Sequence, residues 1–276
     1  RYRIVESKSG NFFRAQARDI TANYLAGAGH RIRVIFAHND GMALGGMVPF
    51  AASFACFITG RFEQIRMSVG YNNANVRIVG THSGCGIGED GYSQMGLEDL
   101  ALMRSLPNMI VLQPANAIES VKTTEFLADY VGPAYLRLTR QGVDDIHGAD
   151  YTFEFGSAEE LRGGADGQLA KDGIQATVVN VHTIKPIDSG LLRRVALRCG
   201  RILTVEDHGI VGGLGSAVVE ALSEVPDVAI RIHGVRGYGE SGTHANLYAR
   251  HRLDIAGITA VAKDFISPPA RAEAVG

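Results

Sequence analysis

The sequence predicts an α/β protein of two modules with mainly parallel sheets. Short β-branched runs alternate with amphipathic helical stretches, the alternation breaks once near mid-chain, and it then resumes. Arg33–Ala37, Val76–Gly80, Met109–Gln113 and Ala134–Thr139 have strand composition. Gly96–Leu106 reads as a helix with Leu97, Leu100, Ala101 and Leu106 on one face. Glu98 and Asp99 fall in its first turn, where acids suit the positive end of the helix dipole, and Pro107-Asn108 stops it. A second helix, Ala117–Val131, follows Pro114-Ala115-Asn116. The stretch His147–Asp172 is rich in glycine and acids and reads as a linker. Strands return at Ala176–Val181, Ile202–Glu206 and Val228–His233, and a helix, Ser216–Glu224, is entered through Gly212-Gly213-Leu214-Gly215. The tail beyond Phe265 reads as frayed.

Composition narrows the function classes. Of 276 residues, 27 are Lys or Arg and 29 are Asp or Glu. A net charge of −2 lacks the basic excess of a nucleic-acid binder. The 34 glycines follow no three-residue period, which excludes collagen. Cys56, Cys85 and Cys199 are few and far apart, with no metal-ligand spacing. A reduced, cytoplasmic chain with no secretory leader is the expectation. Gly41 to Gly60 carries no charge and has the length to cross a bilayer. Its glycines, with Pro49, Ser53 and Thr59, favour a buried strand and helix instead.

Several stretches carry candidate chemistry. Thr81–Gly91 follows a strand directly, and ligand sites in parallel sheets gather past the carboxyl ends of strands. His82, Glu89 and Asp90 lie in that glycine-rich loop, which a merely polar turn explains equally well. Cys85 has no base placed beside it by the sequence and reads as a passive thiol. Phe54 and Phe57, three apart, read as core or as an aromatic pocket for a flat ring. Arg137 and Arg140 either grip an anion or end a strand in solvent. Gly212–Ser216 suits close backbone packing better than a phosphate cradle, and His208 reads as a hydrogen-bonded loop histidine.

The run Thr81–Asn116 (THSGCGIGEDGYSQMGLEDLALMRSLPNMIVLQPAN) resembles the pyrimidine-binding domain of transketolases. Pro49–Arg66 and Ala134–Gln141 fit the same family in order. Val178–Asp188, Ile202–Leu222 and Gly237–Ile258 resemble the transketolase C-terminal domain. The resemblance implies a thiamine-diphosphate-binding fold at 47–147, a linker at 148–172, a truncated C-terminal domain at 173–266 and a tail at 267–276. It also implies thiamine diphosphate as cofactor, its pyrimidine ring lying against Phe54 and Phe57. By the same resemblance His82 lies near the reactive carbon and the substrate, and Asp90 contacts the donor hydroxyls. Arg140 would hold the sugar phosphate, and Gln94 stands where many members have histidine.

The layout is similar to the separate C-terminal subunit of a split transketolase. The resemblance therefore implies a partner: an N-terminal subunit that holds the diphosphate and Mg²⁺, in a homo- or hetero-oligomer such as a dimer. The implied reaction moves a two-carbon ketol unit between sugar phosphates, as in the pentose phosphate pathway. No metal ligand is expected in this chain, nor any nucleic-acid or membrane partner. Two departures stand out. The glutamate that activates the cofactor in the family falls at Ile32, and about one βα unit is missing before Gln168. Arg1–Leu25 and Ile32–Met47 resemble a segment of periplasmic sugar-binding proteins of ABC importers, with Asn39 and Asp40 as its sugar-contacting pair. Residues 1–46 would then supply a helix (Phe12–Leu25) and a strand in place of the lost unit. A catalytically inactive interaction module is the alternative reading.

Overall fold

The computed structural model describes residues 34–36, 48–161 and 168–267. Ile32, Asn39, Asp40 and the expected helix Phe12–Leu25 lie outside them.

Strand β1 (Val34–Phe36) pairs in parallel with β2 (Val48–Phe54). The chain turns directly from β2 into α1 (Ala55–Thr59), the strand and helix expected of the uncharged run. Helix α2 (Phe62–Gln64) runs on into a π-helical turn, Ile65–Tyr71. Then follow β3 (Arg77–Thr81), α3 (Asp99–Ser105), β4 (Ile110–Leu112), α4 (Ala117–Asp129) and β5 (Ala134–Arg137). The expected linker contains β6 (Glu159–Leu161) and α5 (Gln168–Lys171). Strand β7 (Val178–Asn180) pairs antiparallel with β6. The chain continues through β8 (Thr183–Lys185), α6 (Ser189–Cys199), β9 (Arg201–Gly209), α7 (Leu214–Ala221), β10 (Ala229–Val235), α8 (His244–Arg250) and α9 (Ile255–Ile266).

The main sheet has six strands in the order β1-β2-β3-β5-β4-β8. Its first five are parallel, and β8 joins antiparallel to β4. Period-two alternation gives the sheet two apolar faces. Ile78, Val111 and Tyr135 point to one face and meet Ile58, Ile65, Leu100 and Met103. Val79, Leu112 and Leu136 point to the other and meet Leu127 of α4. Strands β9 and β10 form a separate parallel pair, with Val218 and Leu222 packing against Leu192 and Ala196.

The strand from the front segment therefore extends the first sheet beside β2 and does not join the second module. Instead β8 crosses over and covers the β4 edge, which would otherwise present unpaired backbone groups. Asp188, Thr243 and Asp254 cap α6, α8 and α9 by accepting from backbone N–H groups. Among the described residues no helix is long and apolar enough to cross a membrane.

Candidate functional site

The site forms where β2, β3 and β5 end together, because three parallel strands in register deliver their carboxyl ends to one edge. Phe54 closes β2 and Phe57 lies one turn into α1. Their rings stack at 5.6 Å and an interplanar angle of 4°. On its other side Phe54 stacks on His82, 3.9 Å between centroids. The three rings make an aromatic shelf. Phe57 is 48 % exposed, so the pair is not simply core. Phe54 packs inward against the cluster of Cys85, Met95 and Leu97.

His82 adopts a left-handed backbone, φ 55°, unusual for a residue with a side chain. Its Nδ1 lies 3.0 Å from the Thr81 hydroxyl. Burial, with help from the Arg140 charge, lowers its pKa, and Asp90 opposes the shift. His82 is accordingly neutral near pH 7, able to hold or pass a proton.

Beyond the shelf lies a cavity of about 550 Å³ lined by Glu89, Asp90, Arg140, Gln141, Thr243 and His244. Arg140 Nη1 is 3.8 Å from Asp90 Oδ2, and both side chains are half exposed. Arg140 also donates to the Ile87 carbonyl at 3.1 Å. Such a loose, solvated pair leaves a guanidinium open to a phosphoryl group. Gln94 sits on the turn Tyr92–Gln94, which packs on α1. Thr243 and His244 come from the second module. Sequence reading missed them because nothing local marks a residue brought in from another module.

Other expected sites resolve differently. Arg137 neither grips a ligand nor meets solvent: it is buried, its Nε 2.8 Å from Asp99 Oδ2. Its Nη2 donates to the Gly96 and Asp207 carbonyls at 3.0 and 2.9 Å, and its Nη1 to Gln113 Oε1 at 3.3 Å. Asp99, in the first turn of α3 as expected, serves this buried pair and also accepts from the Tyr135 hydroxyl at 2.7 Å. His208 lies within β9, and its Nδ1 donates to the Gly209 carbonyl at 2.7 Å. The amides of Leu214 and Gly215 at the start of α7 donate to Glu206 at 2.6 and 2.9 Å. That helix N-terminus is therefore occupied by a carboxylate and has no room for phosphate. Burial pushes the Cys85 thiol far up, as does Asp207, so it is a passive thiol.

The two modules share one seam. Asp207 accepts from the Cys85 amide at 2.8 Å and from the Tyr248 hydroxyl at 3.0 Å. Gly84 has φ +81°, and a Cβ there would run into the Asp207 carboxylate. The Gly84 position thus requires glycine on two counts.

An open parallel sheet with an aromatic shelf and a charged cavity past its strand ends defines a small-molecule site of the α/β class. The family model for the transketolase pyrimidine binding domain matches residues 33–144, and that for the transketolase C-terminal domain matches 159–258. The chain belongs to the transketolase family. The first match takes in residues 33–46, so that stretch, read from sequence as sugar-binding-protein-like, falls within the transketolase model. One subunit of the apulose-4-phosphate transketolase of Phocaeicola vulgatus is 36 % identical, over 82 % of this chain and 78 % of that one. The 6-deoxy-6-sulfo-D-fructose transketolase subunit of a Clostridium species is 35 % identical, over 73 % of this chain and 69 % of that one. A split-gene transketolase solved as an inactive β4 tetramer superposes with a TM-score of 0.75 at 37 % identity, covering 81 % of this chain and 78 % of that one. Family membership implies use of thiamine diphosphate. The exposed Phe57 ring stacked on Phe54 fits a flat heterocycle. Among the described residues no cluster of His, Cys, Asp or Glu is suited to a metal ion.

Proposed function

We propose that this chain is the pyrimidine-domain and C-terminal-domain subunit of a split transketolase. It acts with a separate N-terminal subunit that holds the diphosphate and Mg²⁺. The reaction is transfer of a two-carbon ketol unit between anionic sugars. The observation that carries this reading is the convergence of Phe54, Phe57, His82, Asp90 and Arg140 at one sheet edge. The naming of the relatives as subunits supports the partner, and both sugars in their names carry an anionic end.

Phe54 and Phe57, with Gln94 nearby, would hold the pyrimidine of thiamine diphosphate. When bound, that cofactor supplies the nucleophile for a ketose carbonyl. The chain's own residues do the rest. Neutral His82 donates to, or takes a proton from, the oxygen of the reacting carbon, where charge develops. Asp90 accepts from sugar hydroxyls. Arg140 anchors the terminal phosphate, which fixes the distance between the anionic end and the shelf.

Counting back from Gly41-Met42-Ala43 puts the family's activating glutamate position at Ile32, whose side chain can neither accept nor give up a proton. Slow turnover follows, reduced by several orders of magnitude, and it favours a second reading as an inert module that only assembles. The test mixes the chain with an N-terminal transketolase subunit, thiamine diphosphate and Mg²⁺, and follows ketol transfer from xylulose 5-phosphate. Slow transfer that rises with Ile32→Glu supports a weakened enzyme. A stable complex with no transfer in either chain supports the inert module.

A further inference from the structure

A second cavity, also about 550 Å³, opens on the far module, where β10 ends against the turn between α8 and α9. Its lining carries four guanidiniums, Arg231, Arg236, Arg250 and Arg252, against two carboxylates, Glu240 and Asp264. Arg231 Nη1 pairs with Asp264 at 2.7 Å, and Arg250 pairs with Glu240. Among the described residues neither Arg236 nor Arg252 has a side-chain partner, and both are exposed. His251 also lines the cavity. A cavity with this excess of guanidinium groups favours an anion.

The turn that presents these groups is fixed. Arg252 has φ 56°, a left-handed conformation that a side chain adopts at some cost. It is held there by His233, whose Nε2 lies 2.8 Å from the Arg252 carbonyl, and by the Leu253 amide on the Tyr248 carbonyl at 2.7 Å. At the rim Tyr238 stands edge-on to Tyr92, centroids 4.7 Å apart, next to the turn that carries Gln94. The cavity therefore touches the candidate catalytic edge through one aromatic pair.

We infer that this arginine-lined cavity binds a phosphoryl oxyanion, at a site separate from Asp90 and Arg140. Planar guanidiniums with open forks match the oxygens of a phosphomonoester or of free phosphate. The assignment does not depend on the proposed ketol transfer.

The test is calorimetric titration of the full chain carrying Arg140→Ala, so that phosphate binding at the first site is removed. The probes are inorganic phosphate and glycerol 3-phosphate. Saturable binding is expected to remain, and to weaken about tenfold or more on adding Arg236→Ala. Arg252→Asn, which tolerates the left-handed turn, is expected to do the same with an unchanged unfolding midpoint. Equal affinity for the two probes means that the phosphoryl group alone is read. Tighter glycerol 3-phosphate means that the rim around Tyr238 contacts the organic part. Loss of all binding in the Arg140→Ala chain overturns the assignment. So does equal weakening by Arg198→Ala, an exposed arginine on α6.

Discussion

The end of β5 carries two arginines three residues apart with opposite fates. Arg137 is sealed in the seam between modules, with Asp99, Gln113 and two carbonyls accepting from all three of its nitrogens. Arg140 stands half exposed over a cavity, with one carbonyl and a distant carboxylate. Both have the same charge and shape, so the difference lies in how completely each is satisfied. A guanidinium with every donor engaged is part of the architecture, whereas one with free donors in a cavity has capacity left for a ligand.

Removing Arg137 should have the largest effect. Arg137→Met strands Asp99 as an uncompensated buried charge, and a loss of about 3–5 kcal/mol of stability is expected in chemical unfolding. A smaller loss would mean that water enters the seam and the two arginines differ less than their burial suggests.

The same seam sets a pH dependence. Burial, reinforced by Arg137, lowers the His208 pKa to about 4 from 6.5. A histidine with a lower pKa in the folded chain binds fewer protons when folded than when unfolded. Its neutral form is fully compatible with the fold above about pH 6.5, and stability is lost as the pH falls from there towards 4. The whole interval corresponds to about 3 kcal/mol. Glu206, whose carboxyl is pushed up by burial, gains stability as the pH falls and opposes this trend. The measurement is therefore the difference in slope between the parent chain and His208→Gln across this interval, the variant being flatter.

Gly84→Ala sharpens the contrast from the loop side. With φ +81° and the Asp207 carboxylate where Cβ would go, about 2 kcal/mol of destabilisation is expected, read as a lower unfolding midpoint. Arg140→Ala should be nearly silent in unfolding, within about 0.5 kcal/mol, because its ion pair is solvated.

How much of this was legible follows from which signals are local. Strands Val76–Gly80, Met109–Gln113 and Ala134–Thr139 were readable from β-branched runs, because the observed β3, β4 and β5 are buried on both faces. Phe54, His82, Asp90 and Arg140 were readable as a set through motif order, and they do lie at one edge. Spacing alone left Arg137 and Arg140 equivalent, since burial depends on Asp99 and Asp207, which are distant in sequence. Strand β6 escaped notice because its partner β7 lies beyond a glycine-rich stretch and its own residues are mostly acidic. The crossing of β8 to the first sheet, and the arrival of Thr243 and His244 at the cavity, are likewise long-range pairings without a local mark.

We propose that the open Arg140, not the sealed Arg137, meets the sugar phosphate. The most direct measurement is kcat/KM for xylulose 5-phosphate in the reconstituted complex, in the Ile32→Glu background, for Arg140→Ala alongside its unfolding midpoint. The account predicts a loss of at least about tenfold, carried by KM, with the midpoint unmoved. An unchanged kcat/KM in a folded, assembled Arg140→Ala complex would contradict it.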